Sequence, residues 1–164
     1  MKYLPKGLLT IVCAGALCGV LDISAACLDL YAASGVTPEH ALQGVAGGLL
    51  GRATFQGGLM TAILGLAMHF TMAVIVATIF YALTRRFPLP QNLSAVIAVG
   101  LCYGAAVFAV NNYGTAPLLS WVRSLYLHTP VLFKPPMGLS QLMIHLFCVG
   151  LPVALVTRYY PNRR

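Results

Sequence analysis

The stretch GLAMHFTMAVIV (residues 65–76) decides the fold. Ten of its twelve residues are apolar or glycine, and the two exceptions are Thr71 and His69. It lies in a run without Asp, Glu, Lys or Arg that extends from 53 to 84, and two more such runs cover 87–122 and 135–157. Each exceeds the ~20 residues that a helix needs to cross the hydrocarbon core of a bilayer. Of 164 residues, 59% are apolar and only 8% charged. A soluble domain carries about 25% charged residues, so this chain lacks the polar surface to face water.

The runs are continuous rather than the ~10-residue alternating segments of a membrane barrel. Backbone polar groups in lipid must bond within the segment, which leaves helices. The expectation is one all-α membrane domain over 1–164, a four-helix bundle with spans near 8–32, 58–83, 93–110 and 139–156. Short interfacial helices are expected near 38–52 and 118–128 on the outer face. Thr37 is placed to cap the first of these, followed by Pro38 and Glu39. In the second, LLSWVRSLYLH has amphipathic spacing. Pro117 on one side and Pro130, Pro135 and Pro136 on the other bound it.

The net charge of +7 is distributed as an orientation signal. Lys2, Lys6, Arg85, Arg86, Arg158, Arg163 and Arg164 fall on one side, and Arg52, Arg123 and Lys134 on the other. The positive-inside rule then places both termini in the cytoplasm. Aromatics fit two interfacial belts, with Phe80, Tyr81, Tyr159 and Tyr160 inside and Tyr31, Tyr113, Trp121 and Tyr126 outside. No basic patch interleaved with aromatics is present, so nucleic acid is not an expected partner. The expected partners are the lipid bilayer and either a second copy of the chain or another membrane protein. Lys2, Lys6 and the apolar run after them resemble a secretory signal, and SAAC (24–27) hints at a cleavage site. Asp22 interrupts that pattern and apolar character continues beyond it, so retention as a span is expected. The five cysteines lie at scattered depths without C-x-x-C spacing and are expected to be reduced packing residues rather than metal ligands.

Several segments carry a resemblance: LDISAA (21–26), LQGVAGGLLGRATFQGG (42–58), LGLAMHF (64–70), YGAAVFAVNNYGTAPLL (103–119) and IHLFCVGLPVAL (144–155). Together they resemble a widespread family of small, uncharacterised four-helix inner-membrane proteins of Gram-negative bacteria. Arg52 departs from that pattern, where a small residue or proline is commoner. The resemblance implies the fold and an inner-membrane location, and it implies no activity.

Ionisable residues inside spans are costly and mark candidate sites. The candidate polar cluster is Asp22, His69, His145, Gln141, Asn111 and Asn112, with Asp29 nearer the outer mouth. At 1.5 Å per residue, Asp22 and His69 both lie roughly 15 Å below the outer ends of their spans. His145 lies about a turn higher, with Gln141 one turn above it on the same face. The plainer interpretation of His69 is a hydrogen bond across a close helix contact, worth ~0.6 kcal/mol on average. A carboxylate at that depth nevertheless demands a partner, and His69 is level with it. An Asp22–His69 contact is therefore expected.

Glycines form the second pattern. Gly15/Gly19 and Gly100/Gly104 are G-x-x-x-G pairs suited to close helix packing. Gly44, Gly47, Gly48 and Gly51 recur along the 38–52 helix and are expected to lay a glycine face against the bundle, while Gly65 admits a neighbouring backbone beside His69.

Enzyme motifs are missing: no G-x-S-x-G, H-E-x-x-H, P-loop or dinucleotide fingerprint occurs. The reading favoured by sequence is a non-catalytic accessory or assembly-type membrane protein with no cofactor. The alternative is movement of protons or a small solute along Asp22, His69 and His145. Binding of b-type haem by the two histidines ranks below both, because their depths differ by roughly 7 Å.

Overall fold

The computed structural model describes residues 6–128 and 138–160. Lys2, Pro130, Lys134, Pro135, Pro136, Arg163 and Arg164 lie outside the described residues. Of those described, 91% are helical and none is in a strand, which makes the fold an all-α four-helix bundle of membrane type.

Among the described residues there are seven α-helices, six of which build four spans. Helix α1 is Lys6–Ser34, α2 Pro38–Leu50, α3 Gly58–Arg86, α4 Leu93–Val110, α5 Ala116–Leu127, α6 Leu139–Ile144 and α7 Leu151–Tyr159. A 3-10 turn, Gly51–Gln56, joins α2 to α3. Two π turns, Asn111–Thr115 and His145–Gly150, fuse α4 to α5 and α6 to α7. The runs Lys6–Ser34, Gly58–Arg86, Leu93–Leu127 and Leu139–Tyr159 are each long and apolar enough to cross a membrane. Large apolar side chains such as Leu28, Leu59, Met60 and Leu139 point outward, a surface that suits lipid.

Local chemistry sets the boundaries. Helix α1 ends where Gly35 adopts left-handed backbone (φ 70°) and its N–H returns to the Tyr31 carbonyl at 2.9 Å. Thr37 then caps α2, its hydroxyl accepting from the His40 N–H, with Pro38 in the first turn. Asn92 caps α4 by accepting from the Ala95 N–H at 2.7 Å.

The expectation of a separate interfacial helix at 118–128 is corrected. That stretch continues the third span as α5, giving a helical run of 35 residues, about 52 Å long against a hydrocarbon core of about 30 Å. Pro117 does not break it. A proline has no N–H and its ring collides with the carbonyl four residues earlier. Here the preceding turn widens instead, and the Ala116 N–H reaches five residues back to Asn111. Pro152 is accommodated the same way, with the Leu151 N–H bonded to the Leu146 carbonyl.

The spans are arranged as an arc. Helix α1 packs against α3 on one side and α7 on the other, and α4 packs on α7 and its π turn. Small residues make these crossings, as expected where lipid supplies no hydrophobic drive between helices. Ala14, Cys18, Ala73, Ala77, Val96, Val153 and Ala154 form the core with Phe80. Phe80 is buried against Tyr103, with ring centroids 4.7 Å apart, so its assignment to an interfacial belt is corrected. A methyl on Gly15 would meet the Val74 Cα at 3.0 Å, and one on Gly104 would meet the Leu146 Cα at 2.8 Å. Both G-x-x-x-G pairs thus sit at crossings.

One end of the arc is capped by α2, the 3-10 turn and α5; the other carries the described chain ends and the Phe87–Asn92 connection. Arg123 of α5 donates to the carbonyls of Gly47 and Gly48, at 2.5 and 3.3 Å, at the negative end of the α2 dipole. At the opposite end Arg158 donates to the carbonyls of Pro90 and Gln91.

The glycine face of α2 is corrected in part. Its buried residues are Gln43, Ala46 and Gly47. A methyl on Gly44 would meet open space, one on Gly48 would touch Leu119, and one on Gly51 would press on Leu127 of α5. Gly65 does admit a backbone, that of α2 at Leu42.

Candidate functional site: an intramembrane cleft

Because α1 and α7 separate them, α3 and α4 stand apart at one flank. They are bridged where the Tyr103 hydroxyl donates to the Val76 carbonyl at 2.7 Å. Toward the capped end from this bridge a cleft of about 330 Å³ opens between the two helices. Its walls are mostly apolar and include Met72, Ile75, Val107 and Val110. Met72, Ile75 and Val110 are exposed, so the cleft is continuous with the lipid-facing flank of the bundle. Its floor is the small-residue core, where Phe80 and Tyr103 close the way to the terminal end.

Polar groups cluster on the inner wall. Asp22 from α1, His69 from α3 and His145 from the second π turn all line the cleft, with Asn111 and Thr115 nearer its capped end. His69 is held between two groups of α1. Its Nε2 lies 2.9 Å from the Gly19 carbonyl oxygen and its Nδ1 3.9 Å from Asp22 Oδ2. A carbonyl only accepts, so Nε2 carries a proton, and Nδ1 is the ring nitrogen turned to the carboxyl. Gly19 makes this approach available, since a methyl there would strike the Phe70 ring at 2.8 Å. His145 follows the same logic: its Nδ1 donates to the Gln141 carbonyl at 2.8 Å. The Phe108 ring meets His145 edge-on at 5.4 Å. Among the described residues Asp22 Oδ1 is buried without a hydrogen bond.

The structure brings together Asp22, His69, His145 and Asn111. Two other candidates are elsewhere, and the expectation that they join the cluster is corrected. The Gln141 amide donates to Asp29 Oδ2 at 3.3 Å beside Ser140, which donates at 3.0 Å. These bonds tie α6 to α1 outside the cleft. Asn112 is buried and donates to the Phe108 carbonyl of its own helix at 2.8 Å.

Tyr103 and Cys18 were not singled out by sequence, yet both border the cleft. The available signal was Tyr103's position mid-span, away from either aromatic belt. The glycine group divides likewise: Gly65 and Gly47 are packing positions, and Gly44 is not.

Each imidazole has one ring nitrogen engaged by a backbone carbonyl, Nε2 of His69 by Gly19 and Nδ1 of His145 by Gln141. Among the described residues no group of three or more His, Cys, Asp or Glu side chains is placed to hold a metal ion. All five cysteines are free thiols. Compared with known proteins, the chain matches no family model, no curated protein and no solved structure.

Proposed function

We propose that this protein is a non-enzymatic accessory protein of the bacterial inner membrane that acts by binding, and that the α3/α4 cleft receives an apolar group with a polar tip from within the bilayer. One observation carries the reading: an apolar cleft open to the lipid-facing flank has Asp22, His69 and His145 on its inner wall. Intramembrane clefts of this character, with few polar groups in apolar walls, are the usual form of a ligand site.

Proton or solute movement is the second reading, and the Asp22–His69–His145 cluster favours it. Against it stands the packed core of Ala14, Cys18, Ala77 and Phe80 on the side of the cleft toward the terminal end.

Native mass spectrometry of protein released from membranes tests the proposal. Wild type should retain low-mass adducts that Val107→Trp, which fills the cleft, has lost. An adduct-free wild type, or adducts indifferent to the tryptophan, would overturn it. Liposome flux tests the second reading, which falls if wild type and Asp22→Asn conduct equally.

A further inference from the structure

The hydrogens around the deep end of the cleft are already committed. Cys18 donates to Gly15 O at 3.4 Å, His69 Nε2 to Gly19 O at 2.9 Å, Tyr103 to Val76 O at 2.7 Å and His145 Nδ1 to Gln141 O at 2.8 Å. Each points at a backbone carbonyl and away from the cavity. With both imidazoles neutral, what an occupant meets at the deep end is a set of acceptors, the Asp22 carboxyl, Nδ1 of His69 and Nε2 of His145, with the Asn111 amide nearer the capped end. Asp22 Oδ1 is buried and bonded to nothing among the described residues. Among the described residues no Lys or Arg lines the cleft. Arg52, Arg85, Arg86, Arg123 and Arg158 lie at or beyond the ends of the spans.

A carboxyl with a buried oxygen that no described group bonds is complemented by a donor that also carries positive charge. We infer that the cleft is a binding site for a small amphiphilic ammonium, its N–H groups on Asp22, His69 and His145 and its apolar body between Ile75 and Val107. A primary ammonium brings three N–H donors to the three acceptors. A neutral hydroxyl brings one, and an anion would meet the Asp22 carboxylate with like charge. The apolar walls fit a hydrocarbon or aryl body and would give a hydrophilic amine no reason to leave water. Depth argues against a phospholipid headgroup as the source: Asp22 lies about 18 Å from the end of α1 by helical rise, well below the headgroup layer. This assignment rests on the binding function proposed above.

The test uses the full chain in lipid nanodiscs, equilibrium dialysis, and three probes of one shape: 4-phenylbutylamine, 4-phenylbutanol and 4-phenylbutanoate. The amine should bind saturably and about tenfold or more tighter than the alcohol, the usual margin for a hydrogen bond to a charged group. Asp22→Asn should erase that margin, and Asp22→Glu should keep part of it. A measurement on wild type avoids any folding defect of the variants. Dicyclohexylcarbodiimide, which condenses with protonated carboxyl groups in membranes, should add to Asp22, and the amine should slow this adduct where the alcohol does not. The inference is overturned if the amine binds no tighter than the alcohol, if Asp22→Asn holds the amine as well as wild type, or if the amine gives no protection. Equal binding of amine and alcohol, both lost in Val107→Trp, would remove the ammonium assignment and leave the binding function standing. No saturable binding of any probe would remove both.

Discussion

His69 and Gly19 are joined across two helices: the imidazole Nε2 lies 2.9 Å from the glycine carbonyl oxygen. That single bond selects the tautomer and turns the other ring nitrogen toward Asp22, 3.9 Å away. Replacing His69 with Leu removes both contacts, whereas Asp22→Asn removes one. The His69 change should therefore lower thermal stability in detergent more than the Asp22 change. In a double-mutant cycle the pair should show a coupling of about 0.6 kcal/mol or more. Strictly additive losses would mean that the two side chains do not interact.

Two glycines only some twenty positions apart should respond in opposite directions to the same substitution. A methyl on Gly65 overlaps the α2 backbone at Leu42, while one on Gly44 meets nothing within 4 Å. Gly65→Ala should cost about 1–3 kcal/mol through overpacking. Gly44→Ala should stabilise by about 0.5–1 kcal/mol, because an exposed helical alanine loses less entropy on folding. Thermal unfolding of both proteins in one detergent decides the matter, and losses of equal size would contradict the packing of α2 on α3.

Much of this architecture was legible because its causes are local. Charge-free runs marked the four spans, and helical rise placed Asp22 level with His69. The failures have a common origin in three dimensions. Pro117 looked like a boundary, since nothing in the local sequence announces that the turn before it widens into a π turn. Gln141 was assigned to the His145 face by helical spacing, but its amide is claimed by Asp29, 112 residues away in the chain. Nothing local to Tyr103 indicates that its hydroxyl reaches α3; the fold brings it there.

That bridge supplies another test. Tyr103→Phe keeps the ring against Phe80 and deletes only the hydroxyl that donates to Val76. The loss should be about 1 kcal/mol, the usual net value of one hydrogen bond. An unchanged melting temperature would show that the cleft's floor does not depend on it.

Thiol reactivity should follow burial. Cys18 is 1% exposed, whereas Cys102 is exposed and all five thiols are free. N-ethylmaleimide in detergent should modify Cys102 well before Cys18, with no disulfide in the intact mass. A disulfide, or an acyl group on Cys27, would contradict the arrangement.

Orientation has its own readout. Lys6, Arg85, Arg86 and Arg158 sit at the terminal end of the described residues, and Arg52 and Arg123 at the capped end. The excess of basic residues predicts a cytoplasmic terminal end. Reporter fusions at Arg164 should report the cytoplasm, and a periplasmic signal would reverse the assignment.

The mouth between α3 and α4 faces the acyl phase rather than either aqueous compartment. Any occupant therefore reaches it after dissolving in lipid, and its effective concentration is moles per mole of lipid. Each added methylene raises that concentration about fourfold, from ~0.8 kcal/mol of transfer energy. Within a homologous series, apparent potency measured from water will climb with chain length even where the cleft recognises every member equally. Selectivity here becomes visible only after partition coefficients have been divided out.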